Sequence, residues 1–206
     1  MRHLAQPRCP QGTNPEALSY LKVRPPPALP DNSKLLIKPS GGVVPPRAVA
    51  VVGFSNCGKT ELICKLLSLA QARGYRVAAL KHSHKTLEVD QPGKDTWRFR
   101  QAGARAVALA APGLLQVTHL LAGDPPVAAA LAALPDNLDF VLVEGYKRGP
   151  LPKIVFVPLG TPSADLPVSE KIIAYISDTA LHTKLPVFSR DQASEILDII
   201  LQWLKT

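Results

Sequence analysis

Residues Gly53–Thr60 read GFSNCGKT, directly after the apolar run Ala48-Val49-Ala50-Val51-Val52 and directly before a segment with apolar residues at Leu62, Ile63, Leu66, Leu67 and Ala70. The pattern G-x-x-x-x-G-K-[ST] between a strand and a helix is a phosphate-binding loop: its glycines let backbone N–H groups turn inward, and the helix aims its positive end at the anion. In this reading Gly53, Ser55, Asn56, Cys57 and Gly58 form the cradle, Lys59 holds the β and γ phosphates, and the Thr60 hydroxyl serves Mg²⁺. Cys57 lies inside the loop. A thiol beside a helix N-terminus can be acidified, but a small loop residue explains it as well.

Outward from the loop, strand and helix signals alternate. Tyr75–Leu80 reads as a strand, Gly74 stops the helix before it, and strand-like runs follow at Ala106–Ala110 and Leu115–Leu120. An Ala-rich helix over about 126–134, strands at 140–143, 154–157 and 172–176, and a closing helix over about 190–204 complete the series. Ser189 and Gln192 have the spacing of a capping box. Continuous apolar strands alternating with helices specify an α/β fold, P-loop NTPase-like, with a mostly parallel sheet and helices on both faces. In such sheets ligands bind outside the carboxyl ends of the strands. Gly53, Lys81-His82, Glu144 and Asp178 all fall at that edge. Asp139 falls at the opposite end of its strand, as a strand-start or capping residue.

Ten of the 21 prolines fall in residues 1–46, and residues 1–47 supply +5 of the net charge of +8, so the basicity belongs to an N-terminal Pro-rich arm rather than to the domain over residues 47–206. That distribution speaks against a nucleic-acid surface. Within the arm, residues 15–23 could form a short helix and 34–38 an extended piece. The start lacks the apolar run of a signal peptide, no stretch approaches a membrane span, and three cysteines without metal spacing fit a reducing compartment. The expectation is a soluble, cytoplasmic protein with no membrane partner.

Glu144 ends the apolar strand Phe140-Val141-Leu142-Val143 and is the candidate second ligand for Mg²⁺ beside Thr60. Residues 81–100, KHSHKTLEVDQPGKDTWRFR, carry ten ionisable side chains. This is too polar for a core element and suits a switch or substrate clamp over phosphate, with a solvated salt-bridged loop as the alternative. Asp95 is placed to cap a short helix through Trp97. His82 and His84 alternate as metal ligands can, yet no third residue has the spacing to join them. Asp178 suits either hydrogen bonds from a guanine edge or the cap of a turn.

The succession GFSNCGKT, KHSH, DQPGKDTWRFRQAGA and LDFVLVEGYK, over about residues 47–206, resembles the molybdopterin-guanine dinucleotide biosynthesis adapter (MobB) family. The resemblance implies a homodimeric GTP-binding protein with weak GTPase activity, assisting a guanylyltransferase that joins GMP to molybdopterin, with molybdopterin itself a further candidate ligand. It also implies GTP on residues 53–60, Mg²⁺ on Thr60 and Glu144, and an adjoining substrate or partner face of Lys81, His82, Asp90, Gly93, Lys94, Asp95 and Arg98. Two positions depart from the pattern. Glu61 stands where many such loops have a second Ser or Thr, placing an anion near the nucleotide, and Lys85 stands where the family often has another His. There is no NKxD motif for guanine, and no obvious water-positioning Gln or arginine finger, which fits weak hydrolysis. Two alternatives remain: a P-loop kinase of a small acceptor, using Arg98, Arg100, Arg105 and Arg148 as clamps and Asp90 or Asp95 as base, and a nucleotide-binding module without turnover.

Overall fold

Five consecutive apolar residues followed by a glycine-rich loop suit an inner strand of a sheet covered on both faces. The computed structural model, which describes residues 47–85, Leu87 and residues 90–205, places Ala48–Val52 there, every residue buried. In chain order the elements are β1 (Ala48–Val52), α1 (Lys59–Ala72), β2 (Val77–Lys81), α2 (Asp95–Gln101), β3 (Ala106–Ala111), β4 (Leu114–His119), α3 (Val127–Ala132), β5 (Phe140–Glu144), β6 (Lys153–Phe156), β7 (Ile172–Ile176), β8 (Val187–Phe188) and α4 (Ala193–Trp203). The readings at residues 15–23 and 34–38, and the arm as a whole, lie outside the described residues. Among the described residues, no helix is long and apolar enough to cross a membrane.

The chain divides into two compact units. The larger carries a six-stranded sheet in the order β2-β5-β1-β6-β7-β8, with every pairing parallel. Alternation along β1 decides its two faces. Val49 and Val51 join Leu62 and Leu66 of α1 and Ile196, Leu197 and Ile200 of α4 in one buried cluster. Ala48, Ala50 and Val52 join Val127 and Leu131 of α3 in the other. Helices therefore cover both faces, as the sequence pattern requires, and each fully buried Leu or Ile contributes about 1.5–3 kcal/mol.

The Gly74 stop is a Schellman ending: its N–H donates to the Gln71 carbonyl at 2.9 Å and the Tyr75 N–H to the Ala70 carbonyl at 3.0 Å. Arg73, one residue earlier, ties α1 to α4 by pairing with Asp198 and donating to the Ser194 hydroxyl at 2.8 Å.

The closing helix differs from its expected start. It begins at Ala193, not Arg190, and of the capping box only one half forms, the Gln192 side chain accepting the Ser189 N–H at 2.9 Å. Arg190 and Asp191 form a turn instead, after β8, a two-residue edge strand too short to leave a periodic signal.

Asp139 does what its position suggested. Its carboxylate accepts the Arg76 backbone N–H at 2.6 Å and the guanidinium at 3.1 Å, pinning the start of β2 to the start of β5. The Arg76 side chain and its backbone N–H hold the Asp139 carboxyl below its usual range. A depressed carboxylate stabilises the fold above its unfolded pKa and ceases to do so as pH falls through the folded value. The melting temperature is therefore expected to drop on acidification below about pH 4, and Asp139→Asn to flatten that part of the profile; an unchanged profile would show that the pair does not matter to stability.

The smaller unit contains α2 and the antiparallel hairpin β3–β4. The two strand-like runs read before the Ala-rich helix are this hairpin and take no part in the parallel sheet. Asp95 is the first residue of α2 rather than its cap, and no side chain caps that helix. Asp90 organises the unit instead, accepting the Thr96 hydroxyl at 3.1 Å and Arg100 Nη1 at 2.9 Å.

Candidate functional site

The loop from Gly53 to Gly58 crosses the carboxyl end of the sheet, and two residues explain how it lies so low. A Cβ on Gly53 would stand 2.7 Å from Phe156 Cβ and 3.1 Å from Cys57 Sγ, so only glycine lets the chain leave β1 this close to β6. Cys57 turns into the core and is 3% exposed, the small loop residue that packing needs.

α1 begins at Lys59, so the first turn of a well-anchored helix opens onto the loop. Lys59 Nζ donates to the Phe54 carbonyl and lies 3.7 Å from Cys57 Sγ, folded over its own loop.

Register brings the next groups. β5 pairs Glu144 with Val51 of β1 on one side and with Lys81 of β2 on the other. The Thr60 hydroxyl donates to Glu144 Oε2 at 2.7 Å, and Lys81 Nζ sits 3.3 Å from Oε1. A cavity of about 360 Å³ is lined by residues 55–61 with Lys81 and Glu144. It offers backbone donors and a lysine for phosphate, and a hydroxyl and carboxylate oxygen of the kind a hard divalent cation takes.

Glu61 is less intrusive than its charge suggests. It is exposed and forms a helical i,i+4 pair with Lys65 at 3.2 Å, and Lys65 also reaches Asp191 at 3.5 Å. The hydrogen bond that Lys65 donates to Glu61, more than any other influence, raises the Lys65 pKa above its ordinary value.

Asp178, past the end of β7, is held on both carboxylate oxygens by Arg190. This pairing raises the Arg190 pKa, and Arg190 Nη1 lies 3.8 Å from where a side chain on Gly58 would begin. Asp178 does not cap its turn; Ser177 Oγ accepts the Thr179 N–H at 3.1 Å. Arg190 is a candidate site residue that the sequence did not announce. Its position just past the carboxyl end of β8 is the signal that could have found it, and so short a strand leaves no pattern to place that end.

His82 stands immediately past β2. Its Nε2 is 2.7 Å from Asp124 Oδ1, and its ring stacks on Tyr146 with centroids 4.0 Å apart. The Tyr146 hydroxyl donates to the Pro125 carbonyl at 2.8 Å. Burial first, and the Asp124 charge second, push that phenol above its ordinary pKa, so it remains a donor. Asp124 is the other residue absent from the sequence reading: it lies 42 positions from His82 in a Gly-Asp-Pro-Pro turn.

The structure brings the predicted loop residues, Lys81 and Glu144 together around one cavity, with Asp178 linked to the loop through Arg190. The remaining predicted face residues, Asp90, Gly93, Lys94, Asp95 and Arg98, belong to the smaller unit. Asp90 is engaged by Thr96 and Arg100 there, and Arg98 lies 3.9 Å from Asp95.

A parallel sheet covered on both faces, with a phosphate loop at the carboxyl end of an inner strand and a carboxylate from the neighbouring strand beside it, defines a P-loop nucleotide-binding protein of the α/β class. The pattern of the family described as molybdopterin guanine dinucleotide synthesis protein B matches residues 48–178. The chain belongs to that family. It is 31% identical over 165 residues to the molybdopterin-guanine dinucleotide biosynthesis adapter protein of Escherichia coli K12, covering 76% of this chain and 93% of that protein. It is 36% identical over 167 residues to the probable adapter protein of Bacillus subtilis 168, covering 76% and 92%. Among solved structures, the MobB homologue of Bacillus stearothermophilus superposes with a TM-score of 0.59 at 32% identity, over 77% of this chain and 97% of that one.

Proposed function

We propose that the chain is a GTP-binding accessory protein of molybdenum cofactor biosynthesis, acting in the cytoplasm to assist a guanylyltransferase that attaches GMP to molybdopterin. The observation that carries this reading is the Thr60–Glu144 contact at 2.7 Å beneath a complete GKT loop, in a chain whose relatives are named as adapters of that biosynthesis. Residues 53–60 grip the triphosphate, and Asp178 meets the guanine edge, which requires it to share or release Arg190. Thr60 and Glu144 together fit Mg²⁺, which when bound supplies positive charge against the phosphates. Lys81 adds a second cation beside Glu144. Hydrolysis is weak in this proposal because Arg190, the guanidinium beside the loop among the described residues, is held by a carboxylate, leaving transition-state charge without a dedicated arginine.

The smaller unit supports the expectation of a homodimer. Register puts Ala108, Ala110, Leu115 and Val117 on one face of the hairpin, all of them exposed, which suits a second copy or the partner enzyme.

The test is reconstitution of the purified chain with a guanylyltransferase, molybdopterin, GTP and Mg²⁺. Increased yield of the guanine dinucleotide cofactor is expected. A stoichiometrically phosphorylated small acceptor, with no effect on guanylylation, would instead establish the kinase alternative. Residues 1–46 act as an arm outside the nucleotide domain in this proposal, so a chain starting at Arg47 is expected to bind nucleotide unchanged; loss of folding on truncation would make the arm structural.

A further inference from the structure

Beside the nucleotide cavity, and separate from it in its donor atoms, His82, His84 and Asp124 converge. Their candidate ligand atoms all lie within 4.8 Å of one another, the one such group of three among the described residues. Residues two apart in an extended segment point the same way, and His82 and His84 past β2 do so, their rings perpendicular with centroids 4.6 Å apart. Asp124 comes from the turn before α3. Two imidazoles and a carboxylate are a donor set that divalent transition ions take readily, unlike the oxygen pair at Thr60 and Glu144.

The cluster is supported from behind. A Cβ on Gly145 would stand 3.0 Å from His82 Cβ at a φ of +107°, so glycine is what allows the two segments to pack. The His82 N–H donates to the Glu144 carbonyl at 2.8 Å, fixing the backbone of the first ligand to β5. Tyr146 then does two things at once: its ring stacks on His82, and its hydroxyl holds the Pro125 carbonyl next to Asp124. Such outer contacts are what orient first ligands in metal sites.

A simpler role for Asp124 would be to orient His82 through a hydrogen bond. That role does not need His84, which is 85% exposed and yet has Nδ1 turned to the same carboxylate, 3.7 Å from Oδ2. This separation is too long for a hydrogen bond and close to the roughly 3.3 Å between two ligand atoms bound at about 2 Å around a tetrahedral ion. We propose that His82, His84 and Asp124 form a binding site for one divalent transition metal ion of the zinc class, with a fourth position open to water or an external ligand.

The experiment uses the full chain, stripped with chelator and titrated with Co²⁺ followed by visible absorption, then with Zn²⁺ in competition. One equivalent giving the strong absorption of a low-coordinate site is expected, with Zn²⁺ displacing it. His84→Ala and Asp124→Asn should each weaken binding about tenfold or more, with circular dichroism confirming the fold. If Asp124→Asn does not fold, His84→Ala, a change to an exposed ring, carries the test alone. Absence of a stoichiometric site, or equal affinity in the His84 variant, would overturn the proposal and leave a His82–Asp124 orienting pair. Metal retained by both variants would place it on other ligands and overturn the proposal equally. Since nucleotide does not enter the assay, the result is independent of GTP binding.

Discussion

Lys59→Ala is expected to lower triphosphate affinity roughly 100-fold while leaving the melting temperature within about a degree of the parent chain. The two halves of this expectation have separate causes. Hydrogen bonds from a charged donor contribute about 1.5–3 kcal/mol, and an ammonium between phosphate oxygens makes more than one of them. Lys59 contributes little to the fold, because among the described residues its one strong partner is the carbonyl of Phe54, an exposed loop residue. Calorimetric titration and thermal unfolding of the same preparation separate the two effects. Unchanged nucleotide affinity would remove the loop from the mechanism.

Leu66→Ala should behave in the opposite way. Leu66 is fully buried on the face of α1 that meets the sheet and α4, in the cluster with Val49, Leu142, Ile196 and Ile200. Truncating a leucine in such a place costs about 2–5 kcal/mol, from lost burial and the cavity left behind. Against a total stability of about 5–15 kcal/mol this is a large loss, readable as a lower denaturant midpoint. Nucleotide affinity measured well below the transition should stay near that of the parent, because the loop backbone is not touched. A loss under about 1 kcal/mol would mean that the helix face is not the packed core described above.

The features legible in the sequence are those fixed by neighbours along the chain. β1, the loop and α1 follow from an apolar run, a glycine spacing and a helical period, and the α1 ending follows from Gly74. Glu144 was legible because it ends a continuous apolar strand, and parallel register then carries it to Thr60. Contacts made across long separations were not legible. Nothing local to Asp124 announces His82, and nothing local to Arg190 announces Asp178, since β8 is two residues long and half buried. The polar segment 81–100 reads as one loop, but it divides between two units: Lys81–His84 stays with the parallel sheet, and Asp90–Arg100 builds the helix that contacts the hairpin. A charged segment gives no period from which such a division can be read. Asp90 shows the consequence, because its charge is spent on Thr96 and Arg100 within its own unit.

In the proposed function, Glu61 and Asp178 bear on how the site would select its nucleotide. Pairing with Lys65 sets a cation against the Glu61 carboxylate and lessens the repulsion its position implied for a phosphate on the loop. Asp178 can accept from a guanine edge, which presents donors where adenine does not, but only in exchange for contacts to Arg190. Base preference therefore tests more of the site than phosphate binding does. The most direct measurement is a calorimetric titration of the purified chain with GTP in Mg²⁺, repeated in competition with ATP. One equivalent of GTP bound in a Mg²⁺-dependent manner, and poorly displaced by ATP, is the expected result; binding of neither nucleotide, or equal binding of both, would contradict a guanine-nucleotide site at the Gly53–Thr60 loop.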